Sequence, residues 1–244
     1  MPLAEGLHTD LPEGAARHAV KALRLRVGDA VTLFSGAGGA YAAKISSIER
    51  LRVCAEVLAW HDQECESPLN ITLVQALQAG EKMDLTVQKA VELGVSAIVP
   101  VTSRRSVVRL EGERALRRVE HWRGVAASAC EQCGRNRVPD VSALAGLERW
   151  LAQPAATGVR RLMLAPGAPH TLVTLPPPLP AERIELLIGA EGGLAPEEMQ
   201  AAVQAGFVGI RLGPRVLRTE TAGLAALAAM QCLWGDFRED VAHV

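Results

Sequence analysis

The chain has 244 residues, 49% of them apolar, which is enough to bury a substantial core and to form two domains, and argues against disorder. Its 26 Lys and Arg balance 27 Asp and Glu, so no excess of charge marks the whole chain as a polybasic nucleic-acid or membrane ligand, and only local clustering can do so. No window reaches the roughly 18 apolar residues of a membrane span, and Met1 to Gly6 carry no basic run followed by an apolar stretch, so a cytoplasmic protein is expected. The five cysteines, at 54, 65, 130, 133 and 232, are odd in number and scattered, which fits a reducing compartment better than a disulfide framework.

Residues 13 to 26 have helical spacing, with Ala16, Val20 and Leu23 on one side and Arg17, Lys21 and Arg24 on another. Three strand-like runs follow, Ala30 to Phe34, Ala40 to Ile45 and Leu51 to Leu58, and predict a small β-rich domain. The polar stretch His61 to Pro68 reads as an interdomain linker, with the boundary near 68. Beyond it the period changes. Asn70 to Ala76 is extended, Met83, Val87, Ala90 and Val91 form a helical stripe capped by Gly94, and Ala97 to Val101 is the next strand. This βαβ unit predicts a mostly parallel sheet with helices on both faces. A helix over 113–132, a strand over 161–164 and a loop with Pro176, Pro177 and Pro178 come next, and no internal repeat is present.

Two segments near the carboxyl terminus carry the most information. Ile184 to Gly193 and Leu212 to Ala222 each run from a buried-type strand through a small-residue loop into a helix, which is how an open parallel sheet presents a pocket at its carboxyl edge. Dinucleotide, P-loop, zincin and serine-hydrolase motifs are absent. The lone Cys130-Glu131-Gln132-Cys133 has no second pair at zinc spacing, so no metal is assigned. From Arg104 to Arg137 nine arginines face four glutamates, an excess of five; this is a candidate phosphate-binding surface, with a solvated helix face of internal ion pairs as the alternative.

The runs Gln88 to Gly94, Glu131 to Arg135, Ile188 to Gly193 and Leu217 to Ala222 resemble, in that order, those of the RsmE family of 16S ribosomal RNA (uracil-N3)-methyltransferases, within the SPOUT superfamily. Arg17-His18 through Gly28-Asp29 also resembles that family's PUA-like RNA-binding domain. The resemblance implies a PUA-like β-barrel domain over 1–67 and an α/β domain over 68–244, whose parallel sheet carries the SPOUT trefoil knot. It implies S-adenosyl-L-methionine as cofactor, a homodimer, and methylation of N3 of uridine 1498 of 16S rRNA in the usual numbering, in the small ribosomal subunit, with no metal and no membrane. Carried over by motif, the cofactor would lie against Leu164, Ala165, Pro166, Ile188, Gly189, Gly192, Gly193, Leu212, Gly213, Val216, Leu217 and Thr219. A SPOUT enzyme acting on another RNA, such as a transfer RNA ribose, and an inactive RNA-binding relative are the alternatives.

Uracil N3 carries an imide proton that must leave before or during attack on the sulfonium methyl, so charge develops on the flanking carbonyl oxygens. Arg218 is the candidate stabiliser; as a permanently charged guanidinium it cannot be the base, and its structural alternative is a bridge to Glu191 or Glu220. Glu191 could accept the imide proton or hold Arg218, and Glu220 could serve the helix dipole with Thr219 as cap. Arg17, Lys21 and Arg24, with Arg105, Arg109 and Arg135, are the candidates for gripping RNA, and an aromatic content of 3% favours electrostatic, shape-based recognition over stacking. Three departures from the family pattern stand out. The chain begins where the family's first strand ends, so an amino-terminal substrate contact is expected to be missing. Ala190 stands where proline is common. Ala195 stands where a hydroxyl usually caps a helix, a loss of about 0.5–2 kcal/mol.

Overall fold

The computed structural model describes residues 3–50, 52–154 and 156–238, which fall into two compact units. Leu51, the expected start of a strand, lies outside the described residues, as do Met1 and Pro2.

The first unit holds β1 (His8–Asp10), α1 (Glu13–Lys21), β2 (Ala30–Leu33), β3 (Ala40–Glu49) and β4 (Arg52–His61). The strands form an antiparallel sheet in the order β1-β4-β3-β2, one strand more than the sequence predicts. Its core is Ala16, Ala43, Ile45, Val53 and Ala55, with Val20, Val31 and Leu33 packed around them. α1 stops at Lys21, not at residue 26: Leu23 N–H bonds the His18 carbonyl, and Arg24 adopts a left-handed φ of 55°. Leu23 is therefore exposed rather than on the packing face, and Arg24 is off the helix.

The second unit holds β5 (Asn70–Ala76), α2 (Lys82–Glu92), β6 (Ala97–Thr102), α3 (Gly112–Cys133), β7 (Asp140–Val141), β8 (Ala145–Gly146), α4 (Leu147–Leu151), β9 (Val159–Leu164), β10 (Arg183–Ile188), α5 (Pro196–Gln204), β11 (Val208–Ile210) and α6 (Thr219–Trp234). All pairings in its seven-stranded sheet are parallel, in the order β11-β9-β10-β5-β6-β7, with β8 also on β6. Pro100, which brings no N–H, sits opposite the gap between β7 and β8. The central strands are near-continuous apolar runs because both faces are covered. Val74, Ala76, Met163 and Leu187 pack with Leu147, Leu151, Ala202 and Phe207 from α4, α5 and the turn after α5. α2 packs against both α3 and α6, burying Met83, Val87, Leu227 and Met230.

The first unit runs without a break to Glu66, and a later piece of the chain returns to it. Residues 134–138, just after α3, belong to the first unit. Gly38 N–H bonds Asn136 O at 3.1 Å and Val138 N–H bonds Gly36 O at 3.1 Å, so this segment holds the β2–β3 turn. Arg135 grips Glu66 through Nε at 3.1 Å and Nη2 at 2.5 Å, and Arg137 reaches Glu64 at 3.1 Å. Arg135 is only 4% exposed. Its guanidinium is committed to the partly buried Glu66 carboxylate, which argues against its expected place on an RNA-gripping surface. A C-x-x-C-G-R run cannot disclose this, because the partner Glu66 is 69 residues away.

Removing Arg135 takes its charge-assisted hydrogen bonds from a carboxylate that is itself only partly buried, at a cost of about 1.5–3 kcal/mol. Arg135→Ala should therefore destabilise the first unit by about that much, read as faster amide hydrogen exchange in β3 and around residues 36–39. Unchanged exchange would mean that Arg135 is not a structural clasp.

Candidate active site

The sheet reverses direction of growth at its centre: from β5 it extends through β6 on one side, and through β10, β9 and β11 on the other. Ligands of open α/β sheets sit at such a switch point, beyond the carboxyl ends of the strands. Here the chain leaving β9, β10 and β11 encloses a cavity of about 420 Å³, within the usual range for small-molecule sites. Its lining contains all twelve residues carried over by motif: Leu164, Ala165 and Pro166 after β9; Ile188, Gly189, Gly192 and Gly193 after β10; Leu212, Gly213, Val216, Leu217 and Thr219 between β11 and α6. Leu194, Met199, Arg211, Arg215 and Ala222 line it too. These were not singled out in the sequence. Met199 sits in α5, outside any recognisable run, Arg211 falls just before the segment from Leu212 to Ala222, and Arg215 lies inside it but reads as an ordinary surface cation.

The loop after β10 is folded back on itself. Gly193 N–H bonds Ala190 O at 2.8 Å, and a Cβ on Gly189 would lie 2.9 Å from Gly193 C and Leu194 N, so only glycine permits this closure. Ala190 is buried and makes the turn without a proline ring. Thr219 then joins the loop to α6: its hydroxyl donates to Gly189 O at 2.6 Å and accepts from Gln75 Nε2 at 3.1 Å and Gln78 Nε2 at 3.3 Å. Thr86 Oγ1 in turn donates to Gln78 Oε1 at 2.9 Å. Thr219 is therefore not the helix cap expected of it. Arg218 holds the N-cap position, and the Thr219 hydroxyl is spent on tertiary bonding. The start of α5 is handled differently. Ala195 offers no cap, but buried Glu198 accepts from Ala195 N at 2.8 Å and from Arg104 N at 2.8 Å, retaining half of a capping box.

Glu191 lines the cavity but does not hold Arg218. Its Oε1 accepts from Ala79 N at 2.9 Å and lies 3.7 Å from Lys82 Nζ, which is 3.3 Å from Glu220 Oε1. Burial acts to raise the Glu191 carboxyl, but the amides of Ala79 and of Glu191 itself, with the Lys82 ammonium, outweigh it and hold the group below its ordinary range. Lys82, absent from the sequence-based candidates, thus takes the ion-pairing role considered for Arg218. The Arg218 guanidinium is exposed and makes no hydrogen bond or ion pair among the described residues, and its flanking residues Leu217 and Thr219, not Arg218 itself, line the cavity.

The remaining cationic candidates divide. Arg17 pairs with Glu13 on α1, and Lys21 and Arg24 are exposed. Arg109 is exposed, its Nη2 on Arg104 O at 3.3 Å. Arg105 lines the cavity and donates from Nη1 to Gly192 O at 2.8 Å. No group of three or more His, Cys, Asp or Glu able to hold a metal occurs among the described residues, and no helix there is long and apolar enough to cross a membrane.

The family model for an RNA methyltransferase domain matches residues 65–231, and that for an RNA methyltransferase PUA domain matches residues 11–58. Ribosomal RNA small subunit methyltransferase E of Buchnera aphidicola from Acyrthosiphon pisum is 33% identical over 91% of this chain and 87% of its own length. That of Bacillus subtilis is 30% identical over 87% of this chain and 85% of its own. The crystal structure of a ribosomal RNA small subunit methyltransferase E from Neisseria gonorrhoeae bound to S-adenosyl methionine superposes with a TM-score of 0.90, at 44% identity over 97% of this chain and 96% of that one. With both domain models matched in order and the relatives aligned over nearly the whole length, the chain belongs to the ribosomal RNA small subunit methyltransferase E family of RNA methyltransferases.

Proposed function

We propose that the chain transfers a methyl group from S-adenosyl-L-methionine to N3 of uridine 1498 of 16S rRNA. The observation that carries this is the cavity at the switch point, built from the motif residues of a family with a donor-bound relative at 44% identity. The cavity suits the donor: Leu164, Ile188, Leu212 and Leu217 offer apolar walls to an adenine, and the Gly189 loop leaves backbone close to the ligand where a side chain would obstruct it. When bound, the donor supplies an electrophilic sulfonium methyl. The N3–carbon bond forms as the sulfur–carbon bond breaks, and the imide proton is released.

Arg218, unpaired beside this pocket, is the cation for the charge that develops on the uracil carbonyls. Glu191 is a poor acceptor for a weakly acidic imide proton, because the amides and Lys82 that hold it favour its ionised form. Its role in this reading is to fix the loop, and the proton goes to solvent. The target must be unpaired or extruded, since N3 is occupied in a duplex. Lys21, Arg24 and Arg109, exposed, are suited to the surrounding phosphates. The reading includes the assembled small subunit as substrate, the cytoplasm as its place of action, and the superfamily's trefoil knot in the carboxyl-terminal domain. It also includes a homodimer, supported by an α6 whose Ala222, Leu224, Ala225, Ala228 and Ala229 are only half-buried.

Comparing 16S RNA from cells with and without this protein tests the reaction: N3-methyluridine cannot pair, so one reverse-transcription stop should vanish in its absence. An unchanged stop pattern rejects the assignment, protection of one linkage from alkali would indicate a ribose methyltransferase, and no heat on titration with the donor would indicate a binder without catalysis. Arg218→Ala should lower kcat by about 10²–10³-fold while the donor Kd stays within about threefold. Equal losses in both would instead make Arg218 structural. Glu191 has a folded pKa below its ordinary value near 4.5, so the stability it contributes is complete above that range and is lost as pH falls through the lowered value. Glu191→Gln should therefore be less stable than the parent at pH near 7 and lose less on acidification to about pH 3, as read by urea unfolding midpoints; parallel curves for the two proteins would contradict the bond to Ala79.

A further inference from the structure

We propose that Arg105 is a positioning residue of the methyl-donor site, holding the loop after β10 in its ligand-ready shape, and not a phosphate contact. The inference rests on the donor assignment above and concerns one side chain on a different element, the turn that follows β6.

That turn is unusually well fixed for a surface loop. Ser103 N–H donates to Ser106 Oγ at 3.0 Å, Ser106 N–H donates to Ser103 O at 3.1 Å, and the two hydroxyls are 3.0 Å apart, both serines being buried. The neighbouring Arg104 is tied by its amide to Glu198 at 2.8 Å and by its guanidinium to Glu148 at 2.7 Å. The backbone of Arg105 is thus presented from a rigid base, and its side chain extends over the loop. Nη1 donates to Gly192 O at 2.8 Å. The aliphatic stem lies along the same residue: a Cβ on Gly192 would be 3.2 Å from Arg105 Cβ and 3.3 Å from Cδ. Gly192 does not have a left-handed φ. Its missing side chain therefore makes room for the arginine stem and is not needed for a turn.

The loop has two other fastenings, both before this contact in the chain, Thr219 on Gly189 O and Glu191 on Ala79 N. Neither restrains the Gly192 carbonyl, and Arg105 does. Without it that carbonyl turns to water at little cost to the fold, but the loop gains freedom that ligand binding must then remove. Arg105 is exposed and commits only Nη1 to this bond, so it is the bond together with the stem lying along Gly192 that marks it as a support of the loop.

Calorimetric titration of S-adenosylmethionine into the full chain, with filter binding of a 16S RNA fragment at several salt concentrations, decides the matter. Arg105→Ala should raise the donor Kd about tenfold while RNA affinity stays within about twofold and its salt slope is unchanged. Arg105→Lys should recover part of the loss, since an ammonium on a similar stem reaches one carbonyl without the planar fork. An unchanged donor Kd, with RNA affinity reduced and the salt slope smaller by about one, would overturn the proposal. So would loss of both affinities with a lowered melting temperature, which would mark Arg105 as a general support of the fold. Failure of the unaltered chain to bind the donor would sink the functional reading itself, an outcome separable from these.

Discussion

The Thr219 hydroxyl is the joint on which the site depends. A parallel sheet brings the ends of β9, β10 and β11 to one edge, but it does not say how the chain beyond them should be shaped. Thr219 supplies that information by donating to Gly189 O while accepting from two buried amides, Gln75 and Gln78, that stand on and just past β5. One oxygen thereby connects the first strand of the domain, the loop after β10 and the first residue of α6. Polar atoms this well buried are costly if unmatched, so each member of the network restricts where the others can go. The fastening is mutual: α6 cannot slide along its axis without breaking the closure that Gly189 permits.

Charge at the site is sorted in a comparable way. Lys82 stands between Glu191 and Glu220, so two carboxylates next to the pocket are occupied with each other's cation. Had they been left without it, the nearest guanidinium would have been drawn to them, since an Arg–carboxylate pair is the stronger geometric match. With Lys82 in place, Arg218 keeps its donors free. A transition state that accumulates negative charge gains most from a cation that has no competing anion. On this argument Lys82 serves the proposed chemistry indirectly, by keeping acid groups away from the cation proposed to act on the uracil.

The sequence made the sheet domain legible and the site's contents nearly so, because both depend on local patterns: apolar runs of strand length, glycines after them, and helical stripes. Asn70 to Ala76 was read to the residue. What it did not disclose depends on distant partners. Arg135 looks like any helix-end arginine until Glu66 is found beside it, and the end of α1 is set by Arg24 taking a left-handed turn that no periodicity announces. The short β1, β7 and β8 carry too few residues for alternation to register, and they pair only because longer strands are already in place. Thr219 was placed at the right helix end, but a capping hydroxyl and a tertiary one look alike in sequence; only the neighbouring Gly189 carbonyl distinguishes them.

The arginine-rich stretch from 104 to 137 shows why local charge excess is weak evidence for a binding surface. The fold divides its arginines among different tasks. Arg104 joins a turn to α4 and α5 through Glu148 and Glu197, Arg118 anchors α3 to Asp84 of α2, Arg123 reaches Val141 O, and Arg135 is buried on Glu66. Arg117 has a partner one turn away on its own helix, Glu113, and at full exposure that pair contributes little to stability. A guanidinium can do all this because its planar fork serves carboxylates and backbone carbonyls as readily as phosphates. The excess of five positive charges therefore overstates the RNA-facing cation count of this segment. The cations that the fold leaves exposed include several outside the stretch, Lys21 and Arg24 in the first unit and Arg215 and Arg218 in the second.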